Sequence, residues 1–204
     1  MDGQGDKANR RPLKSRTTGW AAIAARAALA TGIGPNQVSF IGIVIAGLGS
    51  WALLEAPARP WLFLLAAVAI QMRLLANMLD GMVAVEGGRG GPTGAIWNEF
   101  PDRIEDSLFL VPAGYAAELP WLGWLCALLA AICAYVRLLG GTLGRPQDFG
   151  GPMAKPHRMA ALTIGCLVAT LWFGGLQVAL GVIAAGTGLT IALRLMRLSK
   201  AVRA

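Results

Sequence analysis

Six apolar segments, separated by short polar or basic stretches, dominate this chain of 204 residues. Hydrophobic residues make up 55% of the sequence and charged residues only 14%. That composition is too apolar for an ordinary soluble domain, and a membrane-spanning helix needs about 20 mostly apolar residues. We therefore predict an all-α integral membrane bundle of six transmembrane helices, with spans near Val38–Leu54, Trp61–Leu79, Gly94–Ala117, Leu119–Leu139, Met159–Phe173 and Leu176–Leu193.

Positively charged residues predict the orientation of this bundle. Most of them precede the first span, lie in the loops that follow the second and fourth spans, or end the chain, whereas the opposite side has only Arg59. Because cytoplasmic loops are enriched in Lys and Arg, we expect both termini and these two loops to face the cytoplasm from a bacterial-type inner (plasma) membrane. The net charge of +7 is spread between the spans, which favours anionic membrane lipid over nucleic acid as a partner.

Three regions are expected along the chain. Residues 1–33 form a basic cytoplasmic segment, in which Thr17–Thr31 is compatible with either an interfacial helix or a weakly ordered Ala-rich lead-in. Residues 34–198 form the six-helix membrane domain, and residues 199–204 form a cytoplasmic tail. The polar start, with no small-residue cleavage site after a short apolar core, does not resemble a cleavable signal peptide.

Amide and acid side chains lie at the predicted cytoplasmic ends of the second and third spans. Asn77 and Asp80 are three residues apart and therefore share one face of a helix. Along the next helix, polar or small residues recur every four positions at Gly94, Asn98, Asp102 and Asp106. Because such groups are costly at membrane depth, two facing polar stripes predict a cation site.

The same segment resembles the signature of the CDP-alcohol phosphotransferase family, D-x-x-D-G-x-x-A-R-x8-G-x-x-x-D-x-x-x-D. The spacing matches throughout, and five of the eight specified residues match, namely Asp80, Gly81, Ala84, Gly94 and Asp102. The other three differ: Asn77 and Asn98 replace aspartates, and Val85 replaces the arginine. The run from Asp102 to Asp106 and the Pro35-Asn36 entry to the first span also resemble the family.

The resemblance implies a transferase with a cytoplasmic site. It would move a phosphatidyl group from a CDP-lipid such as CDP-diacylglycerol to the hydroxyl of a small polyol, with or without a phosphate of its own, and release CMP. It implies one or two Mg²⁺ or Mn²⁺ ions, which hold the diphosphate, bound by Asn77, Asp80, Asn98 and Asp102. Asp102 would also be the catalytic base, and the family commonly forms homodimers.

The resemblance implies two further groups of binding residues. The nucleotide is expected to lie against residues that include small ones, because these let it approach the backbone: Pro35, Asn36, Gly81, Ala84 and Gly94. Family members with phosphorylated acceptors bind the phosphate with cations near the fourth and fifth spans, which implies Arg137, Lys155 and Arg158 here.

The departures from the signature leave alternatives open. Two asparagines remove two negative charges, so divalent binding is expected to be weaker and one of two metal positions could be lost. A rebuilt enzyme and a catalytically impaired CDP-lipid-binding partner protein both fit, and the retained Asp80 and Asp102 favour the enzyme. The arginine lost at Val85 could be replaced by Arg73, Arg89 or Arg103. Asp106 is expected to pair with Arg103 or Arg137 rather than bind metal.

Overall fold

The computed structural model describes residues 34–86 and 94–203. Within these ranges the chain forms helices and no strands, and the six helices are α1 (Pro35–Glu55), α2 (Leu62–Glu86), α3 (Gly94–Ala116), α4 (Pro120–Thr142), α5 (Lys155–Ala169) and α6 (Gly174–Arg203). Four of them, α1, α2, α4 and α6, are long and apolar enough to cross a membrane. The predicted all-helical membrane fold is confirmed. Thr17–Thr31 and Arg89 lie outside the described residues.

The other two helices depart from an ordinary span for different reasons. The first half of α3 has five charged residues, which are Glu99, Asp102, Arg103, Glu105 and Asp106. Helix α5 has only 15 residues, a length of about 22 Å. The count of six complete spans is therefore not fully confirmed, and the two exceptional helices are those that carry much of the buried charge described below.

Proline is found in the first turn of three helices. Pro35 and Pro120 begin α1 and α4, and Pro156 is the second residue of α5. First-turn N–H groups have no partner within a helix, so the N–H that proline lacks is not missed there. The Gly34 N–H, just before α1, donates to Gln37 Oε1 at 2.9 Å. Pro35 and the hydrogen bond between Gly34 and Gln37 therefore define the start of α1, four residues before the buried Ser39.

Two helices extend further than the sequence predicts. Helix α2 runs to Glu86 rather than ending near Leu79, so Asp80 lies within the helix. Helix α6 runs to Arg203, and residues 199–203, which we expected in a tail, continue it. In both cases polar residues lengthen a helix beyond its apolar portion, because hydropathy marks the lipid-spanning part of a helix and not its end.

The helices pack into one bundle. Helix α1 contacts α2 and α3, α4 contacts α3 and α6, and α5 contacts α6 and α2. Helices α3 and α4 approach each other closely at two glycines, where a Cβ added to Gly114 would lie 2.6 Å from Gly123 Cα. Small residues allow such backbone approach in membrane proteins, where van der Waals packing holds helices together.

One face of α1 is both apolar and exposed. Phe40, Val44, Leu48 and Trp51 follow one another at intervals of three or four residues and are 49–59% exposed. An apolar stripe of this length is unfavourable against water and favourable against lipid tails. This exposed stripe agrees with the multi-pass membrane fold.

Candidate active site at the ends of four helices

Asp80 lies near the end of α2 and is 6% exposed. Its Oδ2 accepts a hydrogen bond of 3.0 Å from the Ser39 hydroxyl, which lies in the first turns of α1. Its Oδ1 is buried and has no hydrogen-bond partner among the described residues. Asp106 Oδ1 also has no hydrogen-bond partner there, but Asp106 lies beside Arg73 and Arg158, whereas Asp80 forms no ion pair with the described residues, so Asp80 is the acid better prepared to receive a cation.

Asp102, in α3, is surrounded by nitrogen atoms. Its Oδ1 contacts the Asn77 amide, the Lys155 ammonium and Arg73 Nη2, the last at 2.9 Å. Its Oδ2 has a longer contact of 3.4 Å with Arg103 Nη2. Asn77 stands one turn before Asp80 on α2, so the two acids that the signature retains belong to one site. Oδ1 of Asp102 therefore has three nitrogen partners, and Oδ2 has one longer contact.

Arg73 organises the acids of α3 from the interior of the bundle. Its side chain is wholly buried, one turn before Asn77 on the same face of α2. It binds Glu105 and Asp102, and its Nη2 lies 3.7 Å from Asp106 Oδ1. The hypothesis that Arg73 replaces the nucleotide-facing arginine lost at Val85 does not agree with this position, because its charge is used by carboxylates.

Asp106 has a different partner from the two that we expected. It is 2% exposed, and its Oδ2 accepts a hydrogen bond of 3.1 Å from Arg158 Nη2 in α5. Arg103 and Arg137 instead contact Glu99. The expectation that Asp106 acts as an ion-pair partner is met, but the predicted partners were wrong because sequence separation does not reveal that α5 packs against the site.

The charged side chains of the interior balance one another. We define the charged cluster as three cations and three acids: Arg73, Lys155, Arg158, Asp102, Glu105 and Asp106. Each member of this cluster contacts at least one member of opposite charge. Buried ion pairs are worth little net stability, but removing one partner leaves an isolated charge at high cost. The cluster thus fixes α2, α3 and α5 relative to one another, and Asp80 lies outside it.

The other signature residues lie around the same end of the bundle. Asn36 is exposed in the first turn of α1, and Gly81 follows Asp80 on α2. Gly94 is the first residue of α3, and a Cβ added to it would meet nothing within 4 Å. Pro35, Ala84 and Asn98 lie in described helices, but their side chains are outside what the structure describes.

The three predicted acceptor-binding residues do not converge on one pocket. Lys155 contacts Asp102 and Arg158 contacts Asp106, so both serve the charged cluster. Arg137 donates to Gln147 and Glu99 and stacks over Phe149, with 5.1 Å from Cζ to the ring centroid. Arg137 also lines a separate pocket of about 120 Å³. We call this pocket the basic pocket; its charged residues are Arg137, Arg145, Asp148, Arg194 and Arg197.

Arg194 is a candidate functional residue that sequence reasoning missed. It is 3% exposed in α6, and it donates to the backbone oxygens of Gly150 and Cys133, each at 2.9 Å. Its Nη2 is buried without a partner among the described residues. We counted Arg194 only among the positive residues that end the chain. An arginine directly after the apolar run of a span was the signal that could have identified it.

A larger groove opens on the outer surface of the bundle between α3 and α4. It has a volume of about 510 Å³ and is lined by Arg103, Ile104, Ser107, Leu108, Val111, Pro112 and Trp124. Its polar residues are Arg103 and Ser107, and the remaining lining is apolar. Arg103, whose Nη2 lies 3.4 Å from Asp102 Oδ2, is the residue that connects this groove to the acids of α3.

The acids of the site do not form a dense cluster of metal ligands. Within residues 34–86 and 94–203, no group of three or more His, Cys, Asp or Glu side chains could hold a metal ion. Asp80 nevertheless has an unpartnered oxygen, and Asn77, whose amide nitrogen is bound to Asp102, has its carbonyl oxygen as the remaining metal-binding atom. Oxygen donors of this kind suit Mg²⁺ and Mn²⁺. The described residues therefore fit a divalent ion at Asp80.

Comparison with known proteins identifies the family. No known family model matches the chain. The inner membrane protein YnbA of Escherichia coli is 33% identical over 149 residues, which are 71% of this chain and 68% of YnbA. The phosphatidylinositol phosphate synthase of Mycolicibacterium smegmatis is 28% identical over 178 residues, which are 82% of this chain and 78% of that synthase.

Solved structures show the same fold. The Mycobacterium tuberculosis phosphatidylinositol phosphate synthase PgsA1, in complex with manganese and citrate, matches with a TM-score of 0.74 and 24% identity over 86% of this chain and 87% of that chain. The same synthase with CDP-DAG bound gives 0.73 and 25%, over 86% and 91%. With its spacing, fold and relatives together, the chain belongs to the CDP-alcohol phosphotransferase family. The predicted enzyme class, a CDP-alcohol phosphatidyltransferase of phospholipid biosynthesis, is confirmed.

Proposed function

We propose that the chain transfers a phosphatidyl group from a CDP-lipid such as CDP-diacylglycerol to the hydroxyl of a small phosphorylated polyol and releases CMP. The observation that carries this proposal is the position of Asp80 and Asp102, which lie at the same end of the bundle and are linked through Asn77. Two relatives support it: the synthase of M. smegmatis by sequence, and PgsA1 with CDP-DAG bound by structure.

The chemistry follows from the two oxygens of Asp102. The acceptor hydroxyl oxygen attacks the phosphorus that carries the diacylglycerol, and the bond from that phosphorus to the oxygen of CMP breaks. Asp102 takes the hydroxyl proton, and Oδ2 is the suitable atom because Oδ1 is held by Arg73, Asn77 and Lys155. A general base must lie within hydrogen-bond reach of the proton that it removes. These contacts hold Asp102 in one orientation for that step.

The donor is expected to bind at the cytoplasmic helix ends with its acyl chains in the apolar groove. The proposed Mg²⁺ or Mn²⁺ would be held at the family's metal positions, which are Asn77, Asp80, Asn98 and Asp102 in this sequence. Such an ion would neutralise the donor's diphosphate and stabilise the charge that develops on CMP as it leaves. The nucleotide is proposed to lie against Pro35, Asn36, Gly81, Ala84 and Gly94, which belong to the start of α1, the end of α2 and the start of α3.

The acceptor phosphate is assigned to the basic pocket. Four arginines and one aspartate line it, and Arg194 presents a buried N–H group that has no partner in the described part of the chain. Guanidinium groups bind phosphate oxygens with paired hydrogen bonds, which suits a phosphorylated acceptor. Of the predicted residues, Arg137 belongs to this pocket, whereas Lys155 and Arg158 act from the charged cluster beside it.

The membrane orientation and the oligomeric state of the chain are proposed from the sequence and from the family resemblance. We propose that both termini and the active site face the cytoplasm of a bacterial-type inner membrane, since Arg and Lys are concentrated in the loops after the second and fourth predicted spans and near the ends of the sequence, and the opposite side has only Arg59. We also propose a homodimer, the form common in the family. Cross-linking and accessibility labelling of single cysteines introduced at Asn36 and Arg59 would test orientation, with only Arg59 expected to react from outside the cell.

The activity is tested with the purified full-length chain in detergent or nanodiscs. CDP-diacylglycerol, Mn²⁺ and a panel of phosphorylated and unphosphorylated polyols would be supplied, CMP measured, and the lipid product identified by mass spectrometry. We expect CMP and a new phospholipid with one phosphorylated acceptor. Binding of CDP-diacylglycerol without CMP release for any acceptor would instead support the catalytically impaired binding protein.

A further inference from the structure

We infer that this chain uses a single divalent ion, at Asp80, and that the buried cations Arg73 and Lys155 take the place of a second ion at Asp102. The inference rests on the proposed function and concerns how its site is charged. It assigns Arg73 and Lys155 as positioning residues for Asp102, a role that the signature does not contain.

The two retained acids have opposite surroundings. Asp102 Oδ1 contacts the Lys155 ammonium, Arg73 Nη2 at 2.9 Å and the Asn77 amide. Asp80 accepts from the neutral Ser39 hydroxyl, and its buried Oδ1 has no hydrogen-bond partner among the described residues. The charge of Asp102 is therefore already neutralised by the protein, whereas Asp80 has an oxygen that can bind a metal ion.

A second ion at Asp102 would have to displace cations that cannot easily leave. Lys155 is 7% exposed and Arg73 is wholly buried. Arg73 also binds Glu105, and the charged cluster is balanced with three cations and three acids. Moving Lys155 away from Asp102, its one ion-pair partner among the described residues, would leave an ammonium without a partner in the interior, which is strongly unfavourable, and Glu105 holds Arg73 in place.

Asn77 fits the same arrangement. Its amide nitrogen donates to Asp102, a contact that requires no metal ion between the two side chains. An aspartate at this position would place two carboxylates against each other, and such a pair needs either a proton or a bridging cation. Arg73 and Lys155 thus supply the positive charge at Asp102, and the neutral Asn77 adds no second negative charge beside it.

The experiment counts bound Mn²⁺. The purified full-length chain with CDP-diacylglycerol would be equilibrated with Mn²⁺, its metal content measured by mass spectrometry, and the spin coupling of neighbouring ions read by electron paramagnetic resonance. We expect about one ion per chain and no coupled-pair spectrum. Two ions with a coupled spectrum in a protein that releases CMP would overturn the inference while leaving the proposed function intact. Absence of bound Mn²⁺ together with absence of CMP release would overturn both.

Variants separate the role of charge from that of shape. The double change Asn77→Asp with Lys155→Met restores an acid and removes the ammonium, and we expect about two ions per chain and a coupled spectrum. Asn77→Asp with Lys155→Arg keeps the positive charge, and we expect a smaller increase in the number of Mn²⁺ ions bound per chain. Lys200→Met, an exposed charge at the end of α6, should leave the count unchanged.

Folding is checked for every variant by gel filtration and thermal unfolding. If the double variant does not fold, Asn77→Asp alone serves, since it leaves every ion pair of the charged cluster in place; its second ion should then bind weakly, because Lys155 competes for Asp102. An unchanged Mn²⁺ count and affinity in folded variants would contradict the inference.

Discussion

The Ser39 hydroxyl in α1 donates a hydrogen bond of 3.0 Å to Asp80 in α2, although the two residues are 41 positions apart in the chain. The contact orients the Asp80 carboxyl, whose buried Oδ1 has no hydrogen-bond partner among the described residues. It also explains why the family-like entry to the first span matters, since Ser39 lies one turn after Pro35 and Asn36. The start of α1 is thus part of the site and not only a helix cap.

Ser39→Ala is therefore expected to weaken the site without dismantling it. A hydrogen bond to a charged group contributes about 1.5–3 kcal/mol, so we expect Mn²⁺ affinity and CMP release to fall by about tenfold or more. Titration of Mn²⁺ against CMP release measures both. Ser50→Ala, further along the same helix, is the matched control and should behave like the wild-type chain. Equal Mn²⁺ affinity in the two variants would show that Ser39 does not position Asp80.

Asp102→Asn tests the base directly. The substitution preserves size and removes the negative charge, and general bases typically contribute about 100-fold or more to a rate. We expect CMP release to fall by at least that factor while binding of CDP-diacylglycerol persists. Glu55→Gln, at the last residue of α1, provides a control for loss of one acid away from the site. Turnover of the Asp102 variant at the normal rate would remove the residue from the mechanism.

The pair formed by Arg158 and Asp106 predicts a stability effect that reverses in a double variant. Both side chains are nearly inaccessible, and Arg158 also donates to the Met153 carbonyl at 3.3 Å. Arg158→Met should cost about 3–5 kcal/mol, because Asp106 would be left charged in the interior. Adding Asp106→Leu removes that charge and should recover most of the loss. Thermal unfolding in detergent measures each step, and a double variant less stable than Arg158→Met would exclude this explanation.

The sequence predicted the class of fold and the polar residues that α2 and α3 contribute to the site. Apolar segments and loop charges indicated the membrane bundle, and the spacing from Asn77 to Asp102 placed two polar stripes on neighbouring helices. Those predictions depend on local periodicity, which a sequence displays directly. The family resemblance then supplied the enzyme class, which the relatives confirm. The roles of the individual site residues stay predictions.

The partners of the charged residues could not be predicted in the same way. Nothing in the order of residues shows that α5 lies against α2, so the pairing of Lys155 with Asp102 and of Arg158 with Asp106 was not foreseen. For the same reason the position of Arg73 could not be predicted. The sequence allowed it to contact a nucleotide, but its side chain binds acids of α3. Long-range pairing in a bundle depends on which helices are neighbours, and that information is not local.

The approach of α3 to α4 predicts a position that accepts no side chain. A Cβ at Gly114 would lie 2.6 Å from Gly123 Cα and 2.7 Å from its nitrogen, and neither backbone atom can move aside easily. Overpacking of this kind costs about 1–3 kcal/mol, so Gly114→Ala should lower the unfolding temperature. Gly181→Ala is the matched control because a Cβ there meets nothing within 4 Å. Equal unfolding temperatures for the two variants would contradict the packing of these helices.

The basic pocket predicts a variant that discriminates between acceptors. Arg194 lines the pocket, and its buried Nη2 has no hydrogen-bond partner among the described residues, so Arg194→Met should raise the KM for a phosphorylated acceptor by about tenfold or more, the effect of losing a charged hydrogen bond. Activity toward an unphosphorylated polyol, where measurable, should change much less. A purely structural role would instead lower kcat for both acceptors alike, because Arg194 also holds the Gly150 and Cys133 carbonyls. Arg203→Met, at the end of α6, removes an exposed charge of the same type and is expected to leave both KM values unchanged.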